Sequence, residues 1–329
     1  MRKIAGVLLV TSLIALFAAV PGCSSRIGAG GGSTRYDGSP GPFRVEEGGE
    51  VVFHDYRRAK DLRVTVSYPS GDGPFPVVVF SHGAGGNGNY PYPLTRFWTS
   101  HGYVCLHPTH ADSVSLGPAA RVGGPVEWEN RARDLSFVLD SLSELAGQVP
   151  ALAGRMDSAR IGVAGYSYGG HSAQLLGGAT LHAPEQGPPR SLSDSRPLAF
   201  LILSGPGAGA RGLTPASWEP WTRPMMAVTG SRDLVEGERT PTWHLESFFH
   251  SPAGDKYALF LEGASHRSFT GRQAELTDTA EEREIFRWVR AETLAFWDLY
   301  LKGLSAARPW LEPERVAESS GGRAKLQKR

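Results

Sequence analysis

Gly165-Tyr166-Ser167-Tyr168-Gly169-Gly170 is the stretch that decides the fold, because it joins two segments of different periodicity. The apolar run 161–164 precedes it as a strand would, and the helix-like segment 172–176 follows it. A Gly-x-Ser-x-Gly sequence in this context is typical of a nucleophile elbow, a turn so tight that side chains two residues from the serine would collide. Glycines at 165 and 169 remove those side chains. The alternative is a glycine-rich turn in which Ser167 only caps the helix.

The segments on either side of this turn alternate between strand-like and helix-like patterns. Residues 76–80 form a continuous apolar run, which is typical of a central strand covered on both faces. The two earliest runs are separated by polar residues and predict an antiparallel hairpin at a sheet edge. The order predicts an α/β fold with a mostly parallel central sheet, an antiparallel N-terminal hairpin and helices on both faces. Strands are expected at 51–56, 62–68, 76–80, 102–107, 160–164, 198–203, 224–229 and 256–261, and helices at 95–100, 129–146 and 281–304.

The first 23 residues have the pattern of an export signal. Positive charge at Met1-Arg2-Lys3 is followed by the apolar run Ile4–Val20, and Val20-Pro21-Gly22-Cys23 resembles a bacterial lipobox in which Cys23 is lipidated. Pro21 departs from the usual residue there, so an ordinary signal peptide and an uncleaved anchor are alternatives. We expect a Gly/Ser/Pro tether at 24–44, the folded domain at 45–312 and a polar, basic tail at 313–329, disordered after Glu318.

Composition excludes several classes of protein. The 329 residues are 40% hydrophobic, enough for a large core, and their net charge of +1 comes from mixed charges with no basic face for nucleic acid. Two cysteines, Cys23 and Cys105, cannot supply a disulfide framework. Cys105 lies in a strand-like run and is expected to be a buried, unreactive thiol.

An acidic residue and a histidine follow two later strands. Asp233 comes four residues after the run that ends at Thr229, and His266 comes five residues after the run that ends at Leu261. In open α/β sheets, the loops at the carboxyl ends of the strands carry the functional residues. The chain order Ser167, Asp233, His266 predicts a catalytic triad, in which the imidazole takes the serine proton and the carboxylate holds the other ring nitrogen.

Other acids and histidines compete for these assignments. Asp233 lies in a Gly-Ser-Arg-Asp sequence that is also ordinary turn chemistry. Rivals for the supporting roles are Asp255, Asp278 and His244. Another alternative is a metal site formed by His107, His110 and Asp112, although no further ligand pattern lies nearby.

A glycine-rich loop, His82-Gly83-Ala84-Gly85-Gly86, leaves the central strand. Its glycines allow the backbone to approach the elbow closely, so the N–H groups of Tyr168 and Ala84 are expected to form an oxyanion hole. A phosphate-binding loop is the alternative, but the Lys-Ser/Thr and Gly-x-Gly-x-x-Gly patterns are missing. Aromatic residues near these positions either line a substrate pocket or pack the loops onto the sheet. They are Tyr90, Tyr92, Trp98, Tyr166, Tyr168, Trp218, Trp221 and Trp243.

From Val51 to Leu311 the chain resembles the dienelactone-hydrolase-like branch of the α/β-hydrolases. That branch includes bacterial carboxylesterases and relatives of platelet-activating-factor acetylhydrolases, chlorophyllases and polyester-degrading cutinases. The resemblance implies the α/β-hydrolase fold and ester hydrolysis by a serine without metal or cofactor. Dienelactone hydrolases proper use a cysteine nucleophile, whereas this chain has Ser167, so dienelactone is not the expected substrate. The matching stretches are 75–86, 128–134, 160–170, 230–233 and 294–303.

These features together predict an exported serine carboxylesterase, anchored to a membrane of the bacterial envelope through Cys23. Its substrates are expected to be short- or medium-chain acyl esters or polymeric esters. An acyltransferase or peptidase with the same triad, and a surface lipoprotein that only binds a partner, remain as alternatives.

Overall fold

A nine-stranded sheet organises the structure, a computed structural model that describes residues 1, 36–89, 92–117, 124–234 and 240–329. The strands are β1 (Val45–Asp55), β2 (Lys60–Pro69), β3 (Phe75–Ser81), β4 (Val104–Thr109), β5 (Met156–Tyr166), β6 (Thr180–Leu181), β7 (Arg190–Ser191), β8 (Pro197–Leu203), β9 (Met225–Arg232), β10 (Lys256–Ser265) and β11 (Ala324–Lys328). The helices are α1 (Pro93–Ser100), α2 (Gly124–Asp140), α3 (Leu142–Gln148), α4 (Tyr168–Gly177), α5 (Glu246–His250), α6 (Arg272–Thr277), α7 (Ala280–Tyr300) and α8 (Pro313–Ser320).

The strand order is β1-β2-β4-β3-β5-β8-β9-β10-β11, and β6 pairs with β7 outside this sheet. The pairings from β4 through to β10 are parallel, whereas β1–β2, β2–β4 and β10–β11 are antiparallel. The fold is therefore mixed α/β with a mostly parallel sheet. The N-terminal hairpin and its place at the sheet edge agree with the prediction.

Helices cover both faces of the sheet and form two hydrophobic cores. One core packs α1 and α7 on the sheet through large side chains such as Trp98, Phe296 and Trp297. The other packs α2, α3 and α4 on the opposite face and includes Trp218 and Trp221. All seven residues of β3 are buried because this strand lies between both layers, which explains its continuous apolar sequence.

The helix predicted at 129–146 is two helices, α2 and α3, that meet at Ser141. The Ser141 hydroxyl donates a hydrogen bond to the Phe137 carbonyl at 2.8 Å, and its N–H lies between the carbonyls of Phe137 and Val138. A serine that bonds back to the preceding turn bends a helix at that point. A continuous apolar stripe does not reveal such a break.

The prediction of a disordered basic tail is wrong. Residues 313–329 contain α8 and β11, and β11 pairs with β10 as an antiparallel edge strand. Ala324 and Leu326 are buried, while Lys325 and Lys328 are exposed, as expected of an edge strand protected by lysines. Strand β10 is consequently not the last strand.

The compact unit begins at Tyr36 rather than at residue 45. The Tyr36 hydroxyl donates a hydrogen bond to Asp298 at 2.9 Å, and its ring packs on Trp310. The last part of the predicted tether is thus held on the domain. The export signal and Cys23 lie outside the described residues. Within the described ranges, none of the helices combines the length and apolar character needed to cross a bilayer.

Candidate active site

The turn around Ser167 joins β5 directly to α4 and has a strained backbone. Ser167 has φ 54° and ψ −116°, a region that costs about 1–3 kcal/mol for a residue with a side chain. A Cβ at Gly165 would lie 2.0 Å from the Gly169 carbonyl oxygen, and one at Gly169 would lie 1.9 Å from the Ser81 carbonyl oxygen. The two glycines are therefore required by the tightness of the turn, as the sequence predicts. The Ser167 N–H donates to the Leu203 carbonyl at 2.9 Å and holds the turn on β8.

The structure brings Ser167, Asp233 and His266 together. His266 Nε2 lies 3.0 Å from Ser167 Oγ, and His266 Nδ1 lies 2.9 Å from Asp233 Oδ1. Both supporting residues directly follow strands, because β9 and β10 extend to Arg232 and Ser265, beyond the ends expected from the apolar runs. All three side chains lie at the carboxyl edge of the parallel strands, and the imidazole is 23% exposed.

Asp233 is fully buried, and its carboxylate has donors on both oxygens. Thr229 Oγ1 donates to Oδ2 at 2.7 Å, and Ser204 Oγ donates to Oδ1 at 2.9 Å. The Asp233 N–H donates to the Gly230 carbonyl at 3.0 Å. A buried carboxylate is tolerated when such donors replace water, and here they also fix its orientation toward His266.

Ser204 is a member of this group that the sequence analysis missed. Its Oγ lies 2.7 Å from His266 Nδ1 as well as donating to Asp233, so it bridges the two side chains. Ser204 follows β8 with φ 49°, a second strained position at the same edge of the sheet. Its position directly after an apolar strand was the available signal, but Ser204-Gly205 has the composition of an ordinary turn.

Of the rival residues, only His244 lies at this site. Its Nδ1 donates to the Gly205 carbonyl at 2.9 Å, and its Nε2 lies 3.5 Å from Asp233 Oδ1. Asp255 accepts a hydrogen bond from the Tyr300 hydroxyl, and Asp278 pairs with Arg283 in solvent. Of the three acids considered, Asp233 is therefore the one that lies beside His266.

Asp233, His244 and His266 also offer potential metal-ligating atoms within 4.8 Å of one another. Several of those atoms already make hydrogen bonds with Ser204, Gly205 and Ser167. The predicted metal alternative of His107, His110 and Asp112 does not assemble. His107 Nε2 bonds the Thr95 hydroxyl at 3.0 Å, and the other two side chains make separate contacts in a buried network.

The predicted oxyanion loop lies against the elbow. A Cβ on Gly83 would be 3.5 Å from Ser167 Cβ, so Gly83, the residue directly before Ala84, packs against the serine. Tyr168 is the first residue of α4, and its N–H has no partner within the helix. The Tyr168 N–H is therefore directly beside Ser167, and the loop that carries the Ala84 N–H packs against the same serine.

His82 is buried and fixes the backbone of this loop. Its Nδ1 donates to the Gly83 carbonyl at 2.6 Å, and its Nε2 accepts the His110 N–H at 3.0 Å. Burial, followed by the charge of Arg131, lowers the pKa of His82 well below its ordinary value. His82 is consequently a neutral imidazole whose two nitrogens are both used in holding the loop.

Aromatic residues near the site divide between packing and lining. Trp98, Trp218 and Trp221 are fully buried in the two cores, so they pack elements onto the sheet. The Tyr166 ring lies 5.2 Å from the His266 ring, and with Tyr92 it borders a cavity of about 290 Å³. Other residues that line this cavity are Gly86, Asn87, Arg267, Thr270, Arg272, Gln273 and Leu276.

Cys105 is buried beside α1, as predicted from its strand-like surroundings. Burial raises its thiol pKa to about 12, and its Sγ donates to the Thr95 carbonyl at 3.5 Å. The thiol is therefore protonated and inaccessible at neutral pH.

Neither the protein-family models nor the functionally curated proteins compared with this sequence give a match.

Proposed function

We propose that the protein is a serine carboxylesterase with an α/β-hydrolase fold. The observation that supports this most strongly is the continuous hydrogen-bonded chain from Ser167 through His266 to Asp233, with the serine on a strained elbow. Any one of these residues is unremarkable alone. A nucleophile, a base and an orienting carboxylate within hydrogen-bond reach of one another form the arrangement that acyl transfer requires.

The reaction begins when Ser167 Oγ attacks the ester carbonyl carbon. His266 Nε2, which is 3.0 Å away, takes the hydroxyl proton, and the carbonyl oxygen becomes an oxyanion. When the tetrahedral intermediate collapses, the bond to the alcohol oxygen breaks, and His266 gives its proton to that oxygen. Water then attacks the acyl-serine by the same two proton transfers, which releases the carboxylic acid and restores Ser167.

Two groups of contacts stabilise the charges that form during these steps. Asp233 lies against His266 Nδ1 and offsets the positive charge of the imidazolium, while Ser204 and Thr229 keep the carboxylate in place. The N–H groups of Ala84 and Tyr168 face the oxyanion. Each such donor typically contributes about 3–4 kcal/mol to transition-state stabilisation.

Hydrolysis of nitrophenyl acetate and nitrophenyl butyrate by the full-length protein tests the proposal. We expect nitrophenol release from the wild type and none above the uncatalysed rate from Ser167→Ala. Ser319→Ala is the matched control, because this serine is exposed on α8 and its hydroxyl donates to the Val316 carbonyl of the same helix. Unchanged turnover in Ser167→Ala would reject the esterase and every other function based on this serine.

Experiments with an added alcohol as acyl acceptor and with amides matched to the esters distinguish the esterase from the alternative functions. Transfer of the acyl group to an added alcohol in preference to water would identify an acyltransferase. Faster cleavage of matched amides than of esters would identify a peptidase. Partner binding with no turnover would leave a binding lipoprotein. We expect hydrolysis of esters to dominate in each comparison.

We further propose that the enzyme is exported and held at a bacterial membrane by a lipid on Cys23. The support is the positively charged start, the apolar run and the small residue before this cysteine. Fractionation of cells that express Cys23→Ala tests it, with Cys105→Ala as the control. We expect the first variant in the soluble fraction and the second in the membrane fraction. Membrane retention of Cys23→Ala would contradict lipidation at this residue.

A further inference from the structure

Arg131, in the middle of α2, is completely buried and takes no part in the reaction steps described above. Its Nη1 pairs with Asp112 Oδ1 at 2.5 Å, and its Nη2 donates to the His82 carbonyl and to Ser81 Oγ. Its Nε donates to Ser172 Oγ at 3.2 Å. A buried guanidinium is costly unless its charge and donors are satisfied, and here the partners come from several separate segments.

One set of these contacts holds the oxyanion loop. Arg131 binds the carbonyl of His82, two residues before Ala84. Asp112, its ion-pair partner, accepts the Gly85 N–H on Oδ2 at 3.0 Å, directly after Ala84. The peptide that carries the Ala84 N–H is therefore fixed on both sides by one ion pair.

Another set holds the elbow. The Arg131 guanidinium carbon lies 4.2 Å from the centre of the Tyr168 ring, a cation–π contact made in a buried environment. The bond to Ser172 lies one turn further along α4, and the Ser172 hydroxyl in turn donates to the Tyr168 carbonyl at 3.3 Å. The guanidinium plane thus contacts the residue that follows the nucleophile as well as the loop opposite.

Building on the proposed esterase function, we propose that Arg131, together with Asp112, is the positioning residue of the oxyanion hole. It holds the Ala84 and Tyr168 N–H groups at a fixed separation. Neither side chain touches substrate. Oxyanion donors are effective because they are aimed before the charge appears, so the rigidity of their support sets how much stabilisation they give. Lysine has one compact ammonium and cannot reproduce the planar set of contacts that arginine makes.

The test compares Arg131→Lys with Arg223→Lys, using nitrophenyl butyrate and a butyl trifluoromethyl ketone. Arg223 is the control because it, like Arg131, bonds to α4: its Nη2 donates to the carbonyls of Leu176 and Gly177, at the end of the helix remote from Ser167. It also makes a cation–π contact, 4.7 Å from the Phe200 ring. The ketone is a direct probe of the oxyanion. Ser167 Oγ adds to its carbonyl carbon, the proton passes to His266, and the ketone oxygen becomes the anion.

For Arg131→Lys we expect kcat to fall about 30-fold with KM nearly unchanged. This loss in kcat is smaller than the roughly 10²–10³-fold loss that follows removal of an oxyanion-hole donor, because both donors are still present. The inhibition constant of the ketone should rise by a factor similar to the loss in kcat/KM. Arg223→Lys should lower the melting temperature while leaving kcat and the inhibition constant unchanged. Asp112→Asn retains an oxygen for the Gly85 N–H, and it should show the same pattern with a loss in kcat of about 5-fold. This variant tests the proposal if Arg131→Lys does not fold.

Two results would overturn this inference. One is an Arg131→Lys or Asp112→Asn enzyme whose kcat and ketone affinity match the wild type. The other is a loss of activity that follows only the folded fraction and leaves ketone affinity unchanged. Absence of ester hydrolysis in the wild type would instead reject the proposed function, and it is recognised before any of these variants is measured.

Discussion

Asp233→Asn tests the proposed triad, because it separates the charge of the Asp233 carboxylate from its role in orienting His266. Asp233 Oδ1 accepts hydrogen bonds from His266 and Ser204, while Oδ2 accepts one from Thr229. The Thr229 hydroxyl also lies 3.1 Å from the Pro241 carbonyl, so it can donate there and accept from an asparagine N–H. The asparagine oxygen then stays toward His266 and preserves its tautomer. The substitution therefore removes charge while keeping the hydrogen-bond geometry.

The expected loss follows from the separation of the charges. His266 Nδ1 is 2.9 Å from Asp233 Oδ1, which places the centres of the imidazolium and the carboxylate about 4 Å apart. At an effective dielectric constant of about 20, two unit charges at that distance attract by about 4 kcal/mol. Because about 1.4 kcal/mol corresponds to a tenfold change in rate, kcat should fall by about 10³-fold. KM should change little, since the imidazolium exists only after the substrate has bound.

Steady-state kinetics on nitrophenyl butyrate measures this effect, with Asp255→Asn as the control. Asp255 is the rival acid, and it bonds the Tyr300 hydroxyl away from His266. We expect wild-type kcat from the control. An Asp233→Asn enzyme that keeps more than about a tenth of the wild-type kcat would refute the electrostatic role of this carboxylate. Equal losses in the two variants would refute its assignment to the triad.

Two further predictions concern the stability of the fold. Gly169→Ala should lower the free energy of unfolding by at least about 3 kcal/mol, because its Cβ would lie 1.9 Å from the Ser81 carbonyl oxygen. Gly147 lies on α3, and none of the described residues is within 4 Å of a Cβ added there, so Gly147→Ala should be neutral or stabilising in the same urea titration. Similar losses in both variants would contradict the packing of the elbow. Burial lowers the pKa of His107 and of His110 to about 4 in the folded protein, so these imidazoles stay neutral while those of the unfolded chain take up protons below about pH 6.5. The free energy of unfolding should therefore fall as the pH drops from 6.5 to 4, by about 3 kcal/mol per histidine at pH 4. His107→Gln should reduce this pH dependence. A free energy of unfolding that does not change with pH over this window would show that the histidines are not buried as described.

The parts of the fold that agree with the sequence prediction are those in which the residue type depends directly on local burial or on the geometry of a turn. The run 76–80 is apolar throughout because β3 is covered on both faces. The elbow is recognisable because a turn of that tightness permits only glycine at 165 and 169. Asp233 and His266 were found because parallel strands end at one edge of the sheet, which places residues that are distant in sequence side by side.

The parts that were missed depend on partners distant in the chain. Strand β11 has only two buried residues, Ala324 and Leu326, and their burial becomes evident only once β10 is in place. Ser204 resembles a turn residue until Asp233 and His266 are positioned beside it. A pattern within one segment cannot reveal a contact whose other half lies tens of residues away.

The central claim is that the Ser167 hydroxyl is made nucleophilic by His266, and labelling with a fluorophosphonate probe tests it most directly. The probe reacts with an activated serine, which displaces fluoride and forms a phosphonyl ester that mass spectrometry locates on a peptide. We predict one adduct per chain on the peptide that contains Ser167, no adduct in Ser167→Ala and a strongly slowed reaction in His266→Ala. An unlabelled wild type, or labelling that persists in Ser167→Ala, would contradict the claim.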